Sequence, residues 1–293
     1  MFATLLGPLP RPPLDDGAPA AALVEAAVLA QETAGLEPIT DGGLPGDLTA
    51  IGPVAAWRRT AGLTTRVTKL AIEGPFTSGH GRGRHAVMER AAALNRTLRA
   101  LVAEGCPFIE VHEPAAVTIG EDAAARALFR ESQLRLLDGV VGTHLSLAIT
   151  GGSADKAGVE TILAAPYASL AVDLIAGPDN WRLVTRAPAD RGIVCGALSP
   201  EPDAANEKEV LLWAAGYAAA SGGRGPDRVG IASASSLAGL PWAEATDRMA
   251  RLADVVRLAT LPPEELLHEV DPRSIDARSA GLGRYEPHPP RPT

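Results

Sequence analysis

The sequence predicts an α/β protein built as a single (β/α)8 TIM barrel, and three observations lead there. Short β-rich runs alternate with alanine-rich helical stretches along the whole chain. Eight such runs can be placed, and most are near-continuously apolar, as parallel strands covered on both faces must be. The 293 residues hold one barrel, which takes about 250 residues, with some chain to spare. An open doubly wound sheet is the alternative that the same alternation allows.

Taken in order, "FATLLG" (2–7) is the first strand candidate and "EPIT" (37–40) the second, a short run carrying a proline. "RVTKLAIEG" (66–74) is the third. A helix follows over 84–105, where Val87, Ala91, Leu94, Leu98, Leu101 and Val102 recur at helical spacing. "PFIEVHE" (107–113) is the fourth strand; a helix over 121–139 then opens on acidic residues and stops at glycine. "VVGTHLSLAI" (140–149), "SLAVDLIAG" (169–177) and "GIVCGALS" (192–199) continue the series. A helix over 203–223 with the same acidic start and glycine stop leads to the last strand, "RVGIASASS" (228–236). Residues 1–260 are read as the barrel domain and 261–293, rich in proline and arginine, as a tail that packs on it or frays.

Composition narrows the function classes. Hydrophobic residues make up 46% and charged residues 21%, the balance of a soluble globular chain with a large core. No apolar stretch approaches the roughly 20 residues of a membrane span, and "MFATLLGPLPRPP" lacks the basic start of a secretory leader, so a cytoplasmic protein is expected. The net charge of -8 is diffuse, without a basic face, which disfavours nucleic acid as a partner. The two cysteines, Cys106 and Cys195, sit in apolar contexts and read as buried free thiols rather than a disulfide framework or a thiolate metal cluster. Oligomeric state is not legible.

In a parallel barrel the chemistry gathers at the carboxyl ends of the strands, and those positions are polar here. Arg11, Asp41 and Thr77 follow the first, second and third candidates; His112 and Glu113 end the fourth. His144 and Ser146 share a face of the fifth, Asp173 lies in the sixth, and Ser233, Ser235 and Ser236 crowd the eighth. Each taken alone has a structural explanation, as a cap, a turn or a hydrogen-bonded core group. Their recurrence on successive strand ends argues for a polar pocket. The expected catalytic set is His144, His112, Glu113 and Asp173, with Arg11, Asp41, Thr77, Ser146 and Ser235 expected to bind substrate.

The order of motifs "TLLGPLPRP", "QETAGLEPITDG", "LAIEGPFT", "LVAEGCPFIEVHEPA", "THLSLAITGG" and "DRVGIASASSLAGLPWAEA" resembles the catalytic domain of cobalamin-independent methionine synthase over roughly residues 3 to 258. The resemblance implies a barrel of the kind shared with uroporphyrinogen decarboxylase, and transfer of a methyl group from methyl-tetrahydrofolate to a zinc-bound homocysteine thiolate. By this likeness the zinc histidine falls on His144, the cysteine two residues on falls on Ser146, the ligand glutamate nearest Asp173, and the second cysteine on Ser235. Neutral serine hydroxyls are poor zinc ligands, so no metal is expected in the family's manner. Asp41-Gly42-Gly43 and Val111-His112-Glu113-Pro114 depart from the family's amino-acid site, and Ser78-Gly79-His80-Gly81 lacks the tryptophan that stacks on the pterin.

Three functions remain open at this point. One is a zinc-independent methyltransferase of one-carbon metabolism acting on a small molecule other than homocysteine, with methyl-tetrahydrofolate or a methylated corrinoid as donor and a corrinoid protein as a possible partner. The second is a lyase, hydrolase or metal-dependent enzyme using His112, His144 and Asp173. The third is a non-catalytic, ligand-binding relative.

Overall fold

The computed structural model describes residues 1–44 and 51–270. Its seven strands, all parallel, are β1 (Phe2–Thr4), β2 (Lys69–Glu73), β3 (Phe108–His112), β4 (His144–Ile149), β5 (Ser169–Asp173), β6 (Gly192–Leu198) and β7 (Val229–Ser233). They form one curled sheet in the order β1-β7-β6-β5-β4-β3-β2. The principal helices between them are α1 (Ala20–Ala34), α2 (Pro53–Gly62), α3 (Pro75–Ser78), α4 (Gly83–Ala103), α5 (Ala123–Leu137), α6 (Val159–Ile162), α7 (Trp181–Arg186), α8 (Lys208–Ala220), α9 (Trp242–Leu258) and α10 (Pro263–Glu269). The tail read from the sequence thus begins with a helix, and residues 271–293 lie outside the described residues.

The second strand candidate, 37–40, reduces to one isolated bridge between Ile39 and Thr68. Pro38 has no N–H to give a ladder, yet the backbone around it bonds in both directions. Glu37 N donates to Ala3 O at 2.9 Å, Ile39 N to Val67 O at 2.9 Å, and Lys69 N to Ile39 O at 2.8 Å. The segment therefore spans the two outer strands of the sheet, β1 and β2. The fifth candidate starts later than its composition suggests. Gly139 and Gly142 adopt positive φ (63° and 88°), so the run through Val140 and Val141 is a turn, and the strand begins at His144.

The register fixes which side chains look inward. Lys69 pairs with Phe108 and Phe108 with His144, while Glu110 pairs with Ser146 and Ser146 with Ser169. Because side chains alternate along a strand, one face carries Ile72, Ile109, Val111, Leu147, Ile149, Val172 and Ile231, which pack into the main core. Each fully buried side chain of this size is worth about 1.5–3 kcal/mol. The opposite, inner face carries small residues: Leu6, Ala148, Ala171, Val194 and Ala232 form their own cluster with Phe2 against it. Gly230 makes room for that ring, since a Cβ there would lie 2.5 Å from the Phe2 ring. The helices match their patterns. In α4, Val87, Ala91, Leu94, Leu98 and Leu101 are buried; α5 is capped by Asp122, whose carboxylate accepts from Ala124 N and Ala125 N. Both cysteines are free and buried.

Candidate functional site

Inside the curl, β2 and β3 bring three charged or titratable residues, Lys69, Glu110 and His112, together. Lys69 is 2% exposed and Glu110 1%. The Lys69 ammonium donates to both Glu110 carboxylate oxygens at 2.9 Å and to Leu5 O at 2.7 Å, so all of its protons are received. His112, two residues along on the same face, brings Nε2 within 2.8 Å of Glu110 Oε1. Burial lowers the Lys69 pKa, with the carboxylate opposing. For Glu110 burial pushes upward, but Lys69 and His112 outweigh it and hold the carboxyl at about 2. An ionised carboxylate can only accept, so Nε2 of His112 carries a proton toward Glu110, and in the neutral imidazole Nδ1 is the acceptor. His112 closes β3 at its carboxyl end, with its side chain 17% exposed and Glu73 beside it in register. From Glu73 a cavity of about 590 Å3 runs along α4, lined among others by Ser78, Arg82, Glu89 and Arg90.

The other predicted residues fall in different places. Asp173, at the carboxyl end of β5, faces inward but ties loops: Gly151 N, Ile175 N and Ala176 N donate to it at 3.0, 2.9 and 2.8 Å. Asp41 lies beyond the bridged segment, buried, with Oδ1 accepting from Gly43 N at 2.8 Å. Ser235 lies just past β7, half-buried. These three keep the carboxyl-end placement expected of them.

Four do not. Glu113 continues the outward face of β3 and is fully buried. Its carboxylate receives Phe76 N at 2.9 Å, Thr77 N at 2.7 Å, Thr77 Oγ1 at 2.6 Å and Gln133 Nε2 at 2.6 Å. Burial raises its pKa against these four donors. Glu113 thus anchors the first turn of α3, where N–H groups lack helical partners, and Thr77 is spent on it. Arg11 is exposed and donates to Asp15 O and Asp16 O of its own loop. Ser146 sits below the carboxyl end, fully buried, between Glu110 and Ser169 in register, and its hydroxyl has no hydrogen-bond partner among the described residues.

His144 is the largest correction. It begins β4 instead of ending it, so it faces the amino end of the sheet. His112 registers with Ala148, four residues further along, which separates the two imidazoles by about 13 Å along the strand at 3.3 Å per residue. His144 Nε2 lies 2.8 Å from Ser169 Oγ, and its ring sits 4.4 Å from that of Phe108 between centroids. Burial of the ring lowers its pKa. The facial set of His112, His144 and Asp173 is therefore not brought together. Nor does the zinc set carried over by resemblance fit: His144 and Asp173 belong to opposite ends, and no group of three His, Cys, Asp or Glu able to hold a metal occurs among the described residues. Burial pushes the thiols of Cys106 and Cys195 up to about 11 and about 12, far from the thiolate that zinc binds.

Sequence reasoning missed Lys69 and Glu110. The signal was present in "FIEVH", where Glu110 and His112 alternate with Ile109 and Val111.

No family model matches the chain, and no curated protein matches it in sequence. Solved structures do. A B12-independent methionine synthase from Shewanella sp. W3-18-1, in complex with selenomethionine, superposes with a TM-score of 0.70 at 15% identity, over 91% of this chain and 98% of that one. A protein from Listeria monocytogenes described as a vitamin-B12-independent methionine synthase gives 0.66 at 15% identity, over 88% and 96%. A methyltransferase from Methanosarcina mazei gives 0.57 at 13%, over 80% and 84%. At such identities the likeness establishes the fold: a parallel α/β architecture shared with B12-independent methionine synthases. No helix among the described residues is long and apolar enough to cross a membrane.

Proposed function

We propose that this protein is a cytoplasmic, methionine-synthase-like methyltransferase, a (β/α)8 barrel over residues 1–260, that acts on a small molecule other than homocysteine and does so without zinc. The observation that carries the reading is His112, held by an ionised Glu110 and Lys69 at the carboxyl end of β3, where parallel barrels do their chemistry. Nδ1 of His112 takes the proton from an amine or hydroxyl of the substrate as that atom attacks the methyl carbon. The bond from carbon to donor breaks and its electron pair stays with the donor, on cobalt for a methylated corrinoid or on the ring nitrogen of methyl-tetrahydrofolate, which takes up a proton from solvent. Glu110 keeps the imidazole in the right tautomer and stabilises the imidazolium that forms. Methyl-tetrahydrofolate or a methylated corrinoid, the latter delivered by a corrinoid protein, supplies the methyl group. Glu73, the register neighbour of His112, and Glu89 with Arg82 and Arg90 give the cavity along α4 both signs of charge, which suits a small zwitterion.

The test is transfer of labelled methyl from either donor to a panel of amino and hydroxy acids. Wild type is expected to turn over, and His112→Ala to lose about 10²–10⁴-fold. Absence of transfer from both donors, or full activity in His112→Ala, overturns the reading.

A further inference from the structure

At the amino end of the sheet, away from His112, lies a second cavity of about 590 Å3. That volume falls in the range of small-molecule sites. We propose that it is a binding site for a small organic ammonium ion with an aromatic or aliphatic body, separate from the methyl-transfer site. Its walls include Phe2, Pro38, Phe108 and Val194, and its polar wall is the bonded pair His144 and Ser169. Glu37, Asp190 and Asp227 line it against a single guanidinium, Arg228. Arg228 is turned toward Ala189 O, to which Nη1 donates at 3.2 Å.

Three acidic residues against one arginine in the lining, with one Glu37 oxygen accepting from Val67 N, leave a negative potential over an apolar, aromatic-walled space. A cation gains there both from the carboxylates and from the ring faces. An anion of the same shape meets repulsion. The Phe108 ring already has one cation over it, Lys69 Nζ at 5.9 Å from the ring centroid. Behind the polar wall, Ser146 registers with Ser169 and carries its unused buried hydroxyl. His144 thus serves the amino end: it offers a ring nitrogen and an aromatic edge to a ligand, with Ser169 holding its orientation.

The probe is 2-phenylethylammonium, with 3-phenylpropionate and 2-phenylethanol as anionic and neutral counterparts of the same body, titrated by calorimetry and by the NMR signals of the His144 ring. The ammonium is expected to bind at least tenfold more tightly than either counterpart and to move the His144 signals. An Asp190→Asn/Asp227→Asn double variant should weaken it about tenfold. Ala168→Trp, placed at an exposed lining position, should abolish it. If the tryptophan variant does not fold, the asparagine pair decides. No binding, equal binding of the anion or alcohol, or binding indifferent to these substitutions overturns the proposal. The readout is binding without turnover, so its failure leaves the methyl-transfer reading untouched, and the reverse also holds.

Discussion

An ammonium shut away from water is tolerable only when each of its protons is received, and Lys69 achieves this with Leu5 O and the two oxygens of Glu110. Removing one partner of such a pair leaves a buried charge uncompensated, which costs about 3–5 kcal/mol, whereas replacing both by apolar groups is often neutral. Lys69→Met should therefore destabilise by about that amount in urea unfolding, and Lys69→Met/Glu110→Met should recover most of it. If the single and double variants lose equally, the pair is not what holds this part of the sheet. The acid limb carries a second expectation. Glu110 is held at about 2, below its ordinary 4.5, so the folded state binds its proton less readily than the unfolded chain. Its contribution is complete above about pH 4.5 and fades as pH falls toward 2. Acid unfolding should be shallower over that window in Glu110→Gln than in wild type.

At the level of elements, the connection from β2 into α3 depends on a carboxylate borrowed from β3. Gly74 is where the two meet: a Cβ there would lie 2.3 Å from Cδ of Glu113. Gly74→Ala should push the carboxylate out of reach of Phe76 N and Thr77 N. Faster hydrogen exchange at those two amides and a loss of about 1–3 kcal/mol should follow; unchanged protection would mean that Glu113 does not organise the turn. The same strand shows how much was legible beforehand. The run 107–113 was readable as a strand, and His112 as a polar group at its end. What a list of strand ends ignores is the face: Ile109, Val111 and Glu113 share one side, Glu110 and His112 the other. Period-two alternation alone separates the anchor from the base. Lys69 was less accessible, because its partner lies 41 residues away and only the register between strands brings them together. His144 was misplaced because valines continued the apolar run past glycines whose positive φ ends it.

For the molecule as a whole, the alternation of strands and helices predicted the parallel architecture and its buried faces, but not that one of the eight runs would shrink to a bridge. The reason is local: a run of four residues with a proline in it has too few donors for a ladder. The consequence is global, because that run lies between the two outer strands. Elsewhere neighbouring strands are joined through several register pairs, five of them between β5 and β6, whereas residues 37–40 contribute a single bridge. Opening free energy follows the number of buried contacts and backbone bonds that must break together, so the sheet should open first between β1 and β2. Native-state hydrogen exchange should find the amides of Glu37, Ile39 and Lys69 less protected than those of Val172 and Val194. The amino-end cavity touches both sides of this seam, through Phe2 on β1 and Pro38 and Val67 next to it, and also reaches Val194 on β6. An organic ammonium bound there must therefore slow exchange at the seam amides more than in the centre of the sheet. Uniform protection across all strands, with or without the ligand, would show that the bridged segment closes the sheet as firmly as a full strand does.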